Sequence, residues 1–166
     1  GDMLSLEEPA RPNEFMVLRN GQKSALVTFD TEQNEIKKVE KKSVYGITSR
    51  NVQQTFAIHA LLKHDIPLVT ITGKAGTGKT LLALAAAIEA RRHYRQILLA
   101  RPIVPLSNKD IGYLPGDIQS KVSPYMQPLY DNLAVIRTQF PENSPNHQRI
   151  LKLIEEDKLI IEPLAY

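Results

Sequence analysis

The sequence contains no cysteine, which excludes disulfides, thiolate catalysis and cysteine-based zinc sites. Its four histidines, His59, His64, His93 and His147, stand in unrelated contexts, so a transition-metal site is not expected. The chain also lacks an apolar run long enough to cross a bilayer and an opening stretch typical of a signal peptide. These absences favour a cytoplasmic protein with no membrane partner.

A strong excess of charge is missing as well. The 21 basic and 18 acidic residues leave a formal net charge of +3 and a pI near 9.1. Such a balance permits nucleic-acid binding but does not by itself indicate it. A length of 166 residues with 42% hydrophobic residues suits one globular domain with its own core and a small appendage.

One stretch carries recognisable chemistry. An apolar, β-branched run at 68–72 is followed by the glycine-rich stretch 73–80 and then by the helix-forming run 81–87. Strand, glycine-rich turn and helix in this order match the phosphate-binding P-loop, G-x-x-x-x-G-K-[ST]. The predicted nucleotide site comprises Gly73, Lys74, Ala75, Gly76, Thr77, Gly78, Lys79, Thr80 and Leu81.

Each fixed position of the loop has a predicted role. Gly73, Gly76 and Gly78 allow backbone conformations that are closed to residues with a Cβ, and they let the main chain approach an anion. The N–H groups after them can then converge on phosphate oxygens at a helix N-terminus. Lys79 would reach the β- and γ-phosphates of ATP as the catalytic cation, and the Thr80 hydroxyl would ligate Mg²⁺.

The segment before the loop predicts a small β unit and a helix. Short strands are expected at 15–18 and 25–29 around the turn Asn20-Gly21, with a third at 35–39, after a flexible lead at 1–12. A hairpin unit of this size is marginal alone, so it is expected to pack on the part of the chain after it.

A helix is predicted to open at Asn51 and to run to about Lys63. Asn51 and Gln54 have capping-box spacing, in which each side chain satisfies an N–H group of the other residue. Alternatively, the Gln54 amide reads adenine by accepting from its exocyclic amine and donating to the adjacent ring nitrogen. The sequence pattern leaves both interpretations of Gln54 open.

Two further strands are predicted after the P-loop helix. The apolar run 96–100 indicates a buried parallel strand that closes with Arg101-Pro102, and 158–162 predicts another. Arg101 would stand on the ligand side of a doubly wound sheet, or it is an ordinary surface arginine at a strand end; both remain open.

The second half of the chain predicts a long loop and two helices. The segment 102–116 is rich in proline and glycine and is expected to be functional or mobile. Ser123-Pro124 and Ser144-Pro145 are typical helix starts. The apolar residues at helical spacing are Met126, Leu129, Tyr130 and Leu133 after the first start, and Ile150, Leu151, Leu153 and Ile154 after the second.

Two basic runs of the sequence are interpreted as solvated surface and not as binding sites. The lysines 37, 38, 41 and 42 favour a solvated edge strand over a nucleic-acid contact. The run 91–95, Arg-Arg-His-Tyr-Arg, favours a solvated helix C-terminus, where cations are stabilising.

Hydrolysis of ATP needs an acidic residue that holds Mg²⁺, and the sequence offers only a weak candidate. Glu162 ends an apolar run, but Pro163 follows it at once. The chain is therefore expected to be a fragment of a longer ATPase domain. A GTPase is disfavoured because Asn108-Lys109-Asp110-Ile111 carries its aspartate one position early for a guanine reader.

Several blocks together resemble the PhoH-like ATPases over about residues 45–166. The blocks are Asn51-x-x-Gln54, the P-loop through Leu84, Ala100-Arg101-Pro102 and Gly112-Tyr113-Leu114-Pro115-Gly116-Asp117, together with Lys121, Met126, Pro128, Asp131 and Asn132. The segment beginning at Asn13-Glu14-Phe15 is similar to the one that joins a PIN nuclease to a PhoH domain, which indicates the two-domain PIN–PhoH branch.

The resemblance implies a three-layer α/β P-loop NTPase, RecA-like and similar to superfamily 1 helicases, with a parallel sheet and an N-terminal β appendage. After the flexible lead at 1–12, the resemblance implies a β-rich segment at 13–44, on the linker side of a PIN–PhoH protein, and the ATPase domain at 45–166. In that family ATP and Mg²⁺ are the cofactors, RNA is the expected partner, and a homo-oligomeric ring is a possible assembly. Gln54 would read adenine, and Arg101 and Pro102 would lie on the nucleic-acid path.

The same resemblance places the Asp-Glu motif after Tyr166 and the PIN nuclease before Gly1, so the fragment is expected to bind ATP but hydrolyse it poorly. The leading hypothesis is an ATPase coupled to RNA binding and unwinding, with RNA cleavage in the PIN–PhoH branch. The alternatives are a nucleotide-gated RNA-binding module that acts through the 102–116 loop and a P-loop small-molecule phosphotransferase.

Overall fold

The computed structural model describes residues 10–102 and 118–164, with the side chains of 118–124 excepted. The expectations for the lead at 1–9, for most of the 102–116 loop and for the Gly112–Asp117 block therefore lie outside the described residues. The chain forms two compact units, residues 1–43 with 48–71 and residues 44–47 with 72–166.

The first unit contains a three-stranded antiparallel sheet in the order β1-β2-β3. Strand β1 (Phe15–Asn20) pairs with β2 (Lys23–Asp30), and β3 (Glu35–Lys38) pairs with the other edge of β2. Asn20 stands opposite Lys23 across a two-residue turn in which Gly21 has a φ of 58°. The turn needs this positive φ, which glycine adopts without strain. All three predicted strands are confirmed.

Helix α1 (Val52–Leu62) completes the first unit and begins where its capping residue predicts. The Asn51 side chain accepts from the backbone N–H of Gln54 at 2.8 Å. The ring of Phe56 stacks on Phe15 of β1 with 4.9 Å between centroids, so this contact joins the helix to the sheet. Ile58 is buried on the same helix.

Two very short strands, β4 (Ser43–Val44) and β5 (Ile47–Thr48), precede α1 and form a hairpin. The tip of this hairpin, residues 44–47, belongs to the second unit. Tyr45 makes three contacts there. Its backbone N–H donates to the Glu89 carboxylate and its hydroxyl donates to the Asn146 carbonyl, both at 2.9 Å. The Tyr45 ring meets the Phe140 ring edge-on, with 5.1 Å between centroids.

The second unit combines helices with a parallel strand pair. Its elements are α2 (Lys79–Ala90), a 3₁₀ turn (Arg91–His93), β6 (Ile97–Pro102), α3 (Ile118–Arg137), α4 (Pro145–Glu155) and β7 (Leu159–Leu164). Strands β6 and β7 run parallel, with Ile97 opposite Leu159 and Ala100 opposite Glu162. The predicted strands at 96–100 and 158–162 and the helix start at Ser144-Pro145 are confirmed. The predicted burial of the first strand is wrong, because no residue of β6 is buried and Leu98 is 58% exposed.

The core of the second unit forms where α2 packs on α3, with α4 beside them. The alanine- and leucine-rich sequence of α2 favours a helix, and its small side chains allow close approach of a neighbour. The buried apolar residues of this unit are Val44, Tyr45, Leu82, Leu84, Ala85, Ala86, Ile88, Ala90, Met126, Leu129, Leu133, Ile136, Ile150, Leu153 and Leu159. Full burial of a leucine or isoleucine contributes about 1.5–3 kcal/mol relative to exposure, so this packing stabilises α2, the helix that follows the glycine-rich loop.

The strand predicted at 68–72 is wrong. This segment has no strand assignment, and the side chain of Leu68 is 78% exposed. A strand exists only where its N–H and C=O groups pair with a neighbour. Among the described strands, β6 pairs with β7 and none pairs with 68–72. The β-branched residues of 68–72 favour a strand by intrinsic propensity. Composition does not reveal whether a partner strand is available to pair with them.

Two expectations about α3 also need correction. The helix does not start at Ser123-Pro124 but at Ile118, so the proline lies inside it. Tyr130, predicted on the buried face, is 48% exposed, whereas Ile136 is fully buried. The buried stripe therefore follows Met126, Leu129, Leu133 and Ile136, and Tyr130 falls at its margin.

The fold is thus mixed α/β, with an N-terminal antiparallel sheet and a parallel pair in the second unit. Within the ranges that the structure describes, no helix is both long and apolar enough to cross a bilayer.

Candidate nucleotide-binding site

The loop between residue 73 and α2 adopts the backbone conformation that its glycines permit. Gly73, Gly76 and Gly78 have φ angles of 151°, 76° and 80°. A Cβ built at Gly73 or Gly76 would meet no atom closer than 3.5 Å. The positive φ, and not a lack of space, is therefore the reason for glycine at these two positions.

The N-terminus of α2 presents amides that the helix itself does not satisfy. Gly78 is its N-cap in the left-handed conformation, and no side chain caps the helix. The first hydrogen bond of the helix runs from the Leu82 N–H to the Gly78 carbonyl at 2.9 Å. By helix geometry, the N–H groups of Lys79, Thr80 and Leu81 have no intrahelical acceptor. These amides, with the positive end of the helix dipole, favour an anion.

Lys79 is folded into the loop that precedes it. Its ammonium donates to the carbonyls of Gly73 and Lys74 at 2.8 and 2.7 Å and to the Thr77 hydroxyl at 3.4 Å. The Thr77 hydroxyl in turn donates to the Lys74 carbonyl at 2.8 Å. An ammonium has three donor positions, and all three are directed at atoms of the loop. The positive charge is thus held against the glycine-rich loop that precedes α2.

The loop opens onto a cleft of about 650 Å³, which is within the usual range for small-molecule sites. The P-loop, the carboxyl end of β6 and one face of α3 form its walls. The lining residues are Ala75, Gly76, Thr77, Gly78, Lys79, Thr80, Leu81, Leu99, Ala100, Arg101, Pro128, Leu129 and Asn132. The structure therefore brings most of the predicted site residues, including Arg101, into one cleft.

The described lining of this cleft is basic. Lys79 and Arg101 contribute positive charge, and none of the described lining residues is aspartate or glutamate. The Arg101 guanidinium donates to the Tyr125 carbonyl of α3 at 3.1 Å, which orients it across the cleft wall. Pro102 follows as the last residue of β6. A cleft of this charge suits a polyanion.

Asn51 and Gln54 lie in the first unit, at the start of α1. Asn51 accepts from the Gln54 N–H as a capping box requires, but the return bond differs from the predicted one. The Gln54 side-chain oxygen accepts from the N–H of Arg50 at 2.7 Å, one residue before the expected partner. A carboxamide oxygen has two lone pairs, so this bond does not by itself prevent a contact with adenine.

Glu162, the weak candidate for the Mg²⁺ acid, stands on β7 opposite Ala100 and does not line the cleft. The described residues contain no group of three or more histidine, aspartate or glutamate side chains that could hold a metal ion. Thr80, on the first turn of α2, therefore supplies the one predicted Mg²⁺ ligand in the described cleft. A single protein ligand is compatible with Mg²⁺, because this ion keeps several waters and phosphate oxygens.

The cleft walls were not predicted from the residues' spacing. Leu99, Pro128, Leu129 and Asn132 reach the loop from β6 and α3. Pro128 and Asn132 were named only as part of the family resemblance. The one sequence feature that links them is their i, i+4 spacing, which places both on one face of a helix. The Asn132 side chain donates to the Pro128 carbonyl at 2.7 Å, so the two residues stabilise one another.

A glycine-rich loop that ends in lysine and threonine, begins a helix and opens onto a cleft at the carboxyl end of a parallel strand defines a P-loop protein. The family profile of the PhoH-like proteins matches residues 46–166. The chain belongs to the PhoH-like family, and the resemblance drawn from the sequence is confirmed.

Individual relatives agree with this assignment. Protein PhoH2 of Bacillus subtilis (strain 168) is 48% identical over 130 residues, which cover 74% of this chain and 29% of that protein. The PhoH-like protein of Synechocystis sp. is 36% identical over 152 residues, covering 86% and 43%. The PhoH-like protein of Bacillus subtilis is 34% identical over 153 residues, covering 90% and 44%.

The chain thus spans 29% to 44% of the length of these relatives. No solved structure gives a significant match.

Proposed function

We propose that this chain is the ATP-binding part of a PhoH-like ATPase. The observation that carries the proposal is that Lys79, whose ammonium is bonded to the loop carbonyls, lines one cleft with the first turn of α2, where three amides have no intrahelical acceptor. Charged donors and oriented N–H groups around a basic cleft are the recurring means of holding a nucleoside triphosphate. Membership of the PhoH-like family supports the same function.

Each site residue has a proposed role. The amides of Gly76 to Leu81 bind phosphate oxygens, and the Lys79 ammonium exchanges its loop carbonyls for the β- and γ-phosphates. The Thr80 hydroxyl holds Mg²⁺, which neutralises phosphate charge when bound. Gln54, three residues after the cap residue Asn51, reads adenine through its carboxamide oxygen and amide N–H.

Hydrolysis by the 166-residue chain is expected to be slow. Among the described residues that line the cleft there is no carboxylate to assist Mg²⁺ or to orient the attacking water. We propose that in the whole protein ATP hydrolysis is coupled to RNA binding and unwinding, with Arg101 and Pro102 on the nucleic-acid path. A RecA-like three-layer domain at 45–166, after a β-rich segment at 13–44, is the fold proposed for this activity.

Binding of a fluorescent ATP analogue with Mg²⁺, measured by titration, tests the proposal. Lys79→Ala is expected to weaken binding by at least about tenfold, equivalent to about 1.4 kcal/mol, because it removes charge-assisted hydrogen bonds. Lys74→Ala is the matched control, since it removes one positive charge from the same loop while leaving the carbonyl that Lys79 contacts. Equal affinity in the two variants would contradict the proposed role of Lys79.

A further inference from the structure

A second cleft, of about 280 Å³, lies in the same unit at the C-terminal end of α2. The residues that line it are Arg91, Arg92, Tyr94, Arg95, Gln96, Ile97, Leu153 and Lys158. Ile97 is the first residue of β6, whereas Arg101, in the nucleotide cleft, is near its last. Four residues at about 3.3 Å each separate the two positions along the strand by about 13 Å. The second cleft is therefore a different site at the opposite end of β6.

Two of its cations already have partners. Arg91 donates to the Ile88 carbonyl at 2.8 Å, and its guanidinium lies 5.4 Å from the centre of the Tyr45 ring. Lys158 pairs with Glu156 at 2.6 Å. The interpretation of 91–95 as a charged helix end therefore fits Arg91, whose bond satisfies a terminal carbonyl of α2.

Arg92 and Arg95 are different. Both side chains are exposed, and neither forms an ion pair with any acidic residue in the described part of the chain. Between them in sequence stands Tyr94, which is 55% exposed and lines the same cleft. Two guanidinium groups without an ion pair to a described acidic residue thus line one cleft with an aromatic ring that is 55% exposed, and this arrangement needs an explanation.

We propose that this second cleft binds single-stranded nucleic acid, with backbone phosphates on Arg92 and Arg95 and one base stacked on Tyr94. Guanidinium groups match phosphate oxygens in geometry as well as charge. An inorganic anion would gain nothing from the ring, whereas an unpaired base gains a stacking surface. A duplex keeps its bases stacked on each other, so the ring selects single strands.

The site requires no nucleotide in the P-loop, because its residues are separate from those of the ATP cleft. Its test is therefore made without ATP, and failure of ATP binding would not be mistaken for failure of this proposal. The probes are fluorescein-labelled oligouridine and oligodeoxythymidine of equal length, with a duplex RNA as the third arm. Single-strand binding by the 166-residue chain that depends on Arg92, Arg95 and Tyr94 supports the proposal, and failure to bind either strand overturns it. The strand that binds more tightly identifies the preferred sugar.

The charge variant is Arg92→Gln with Arg95→Gln, measured by fluorescence anisotropy at several salt concentrations. Affinity for the single strand is expected to fall by about tenfold or more, and the log–log salt slope by about 1.4 for two phosphate contacts at about 0.7 each. The control, Lys41→Gln with Lys42→Gln, removes two exposed cations from the first unit. Unchanged affinity in the arginine variant, or equal losses in both variants, would overturn the proposal.

The stacking variant is Tyr94→Ala, with Tyr94→Phe as its control. Loss of a stacked base is expected to weaken single-strand binding on the order of 5- to 150-fold, while duplex binding stays the same. The phenylalanine variant retains the ring and is expected to keep the affinity. An unchanged single-strand affinity in Tyr94→Ala, or the same loss on the duplex, would refute the stacking role. Unchanged thermal melting of each variant verifies that folding is intact.

Discussion

The side chain of Lys79 is held in place by hydrogen bonds to the glycine-rich loop that precedes it. Its ammonium bonds to the carbonyls of Gly73 and Lys74, so the charge is already fixed at the loop before any phosphate arrives. Phosphate binding replaces two neutral carbonyl acceptors with charged oxygens, which attract the ammonium as opposite charges in addition to accepting its hydrogen bonds. The lysine is thus positioned in advance, and only its side chain needs to move.

His59, in the first unit, makes stability depend on pH. Burial, followed by the charges of Lys63 and Lys42, lowers the pKa of His59 from its usual 6.5. The unfolded chain therefore binds more protons than the folded chain at mildly acidic pH, and stability is expected to fall as the pH decreases through about 6.5. The decrease levels off below the folded-state pKa. Thermal melting between about pH 7.5 and 5.5 measures this loss.

The matched variant is His59→Phe, which keeps an aromatic ring beside Phe15, where the histidine makes an edge contact at 5.7 Å. It removes the titrating group, so its melting temperature is expected to change less over the same pH range. Identical pH profiles for the two proteins would show that His59 does not contribute.

Among the elements, the hairpin tip at 44–47 depends most on one glycine. Gly46 has a φ of 82°, and a Cβ at this position would lie 2.7 Å from the Cβ of Gln139. Gly46→Ala is therefore expected to cost about 2–3 kcal/mol through backbone strain and the clash. For a chain of this size the melting temperature would fall by roughly 5–10 °C, measurable by circular dichroism.

Gly21→Ala separates the two causes. Gly21 also has a positive φ, of 58°, but a Cβ there would meet nothing within 4 Å. Its substitution is expected to cost only the conformational strain, about 1 kcal/mol. If Gly46→Ala were no more destabilising than Gly21→Ala, the close packing of the hairpin tip against Gln139 and Phe140 would not matter.

Elements with local determinants were predictable from the sequence. The turn at Gly21, the caps at Asn51 and Ser144 and the apolar run of β6 each depend on a few neighbouring residues. The segment 68–72 was not, because a strand depends on partners elsewhere in the chain. The bond from the Arg50 N–H to Gln54 was missed for a different reason. The side-chain oxygen can reach either of two adjacent N–H groups, and local backbone geometry, which residue spacing does not reveal, selects one of them.

In the molecule as a whole, the phosphate-binding loop was evident because its chemistry lies in eight consecutive residues. The cleft around it could not be derived in the same way, because its walls come from β6 and α3, some 20 to 50 residues later in the chain. The second cleft was missed because the sequence gives the same basic pattern for a solvated helix end and for a binding site. Only the structure shows that Arg91 and Lys158 have partners while Arg92 and Arg95 lack ion pairs among the described residues.

The central claim, that the P-loop binds the triphosphate of ATP, is tested most directly by the amide NMR signals of Gly76, Gly78, Lys79 and Thr80. On addition of Mg²⁺-ATP in millimolar excess, these signals are expected to shift together, because their N–H groups gain phosphate acceptors. AMP, which lacks the β- and γ-phosphates, is expected to leave them nearly unchanged. Signals that stay in place with ATP, or that move equally with AMP, would contradict the account.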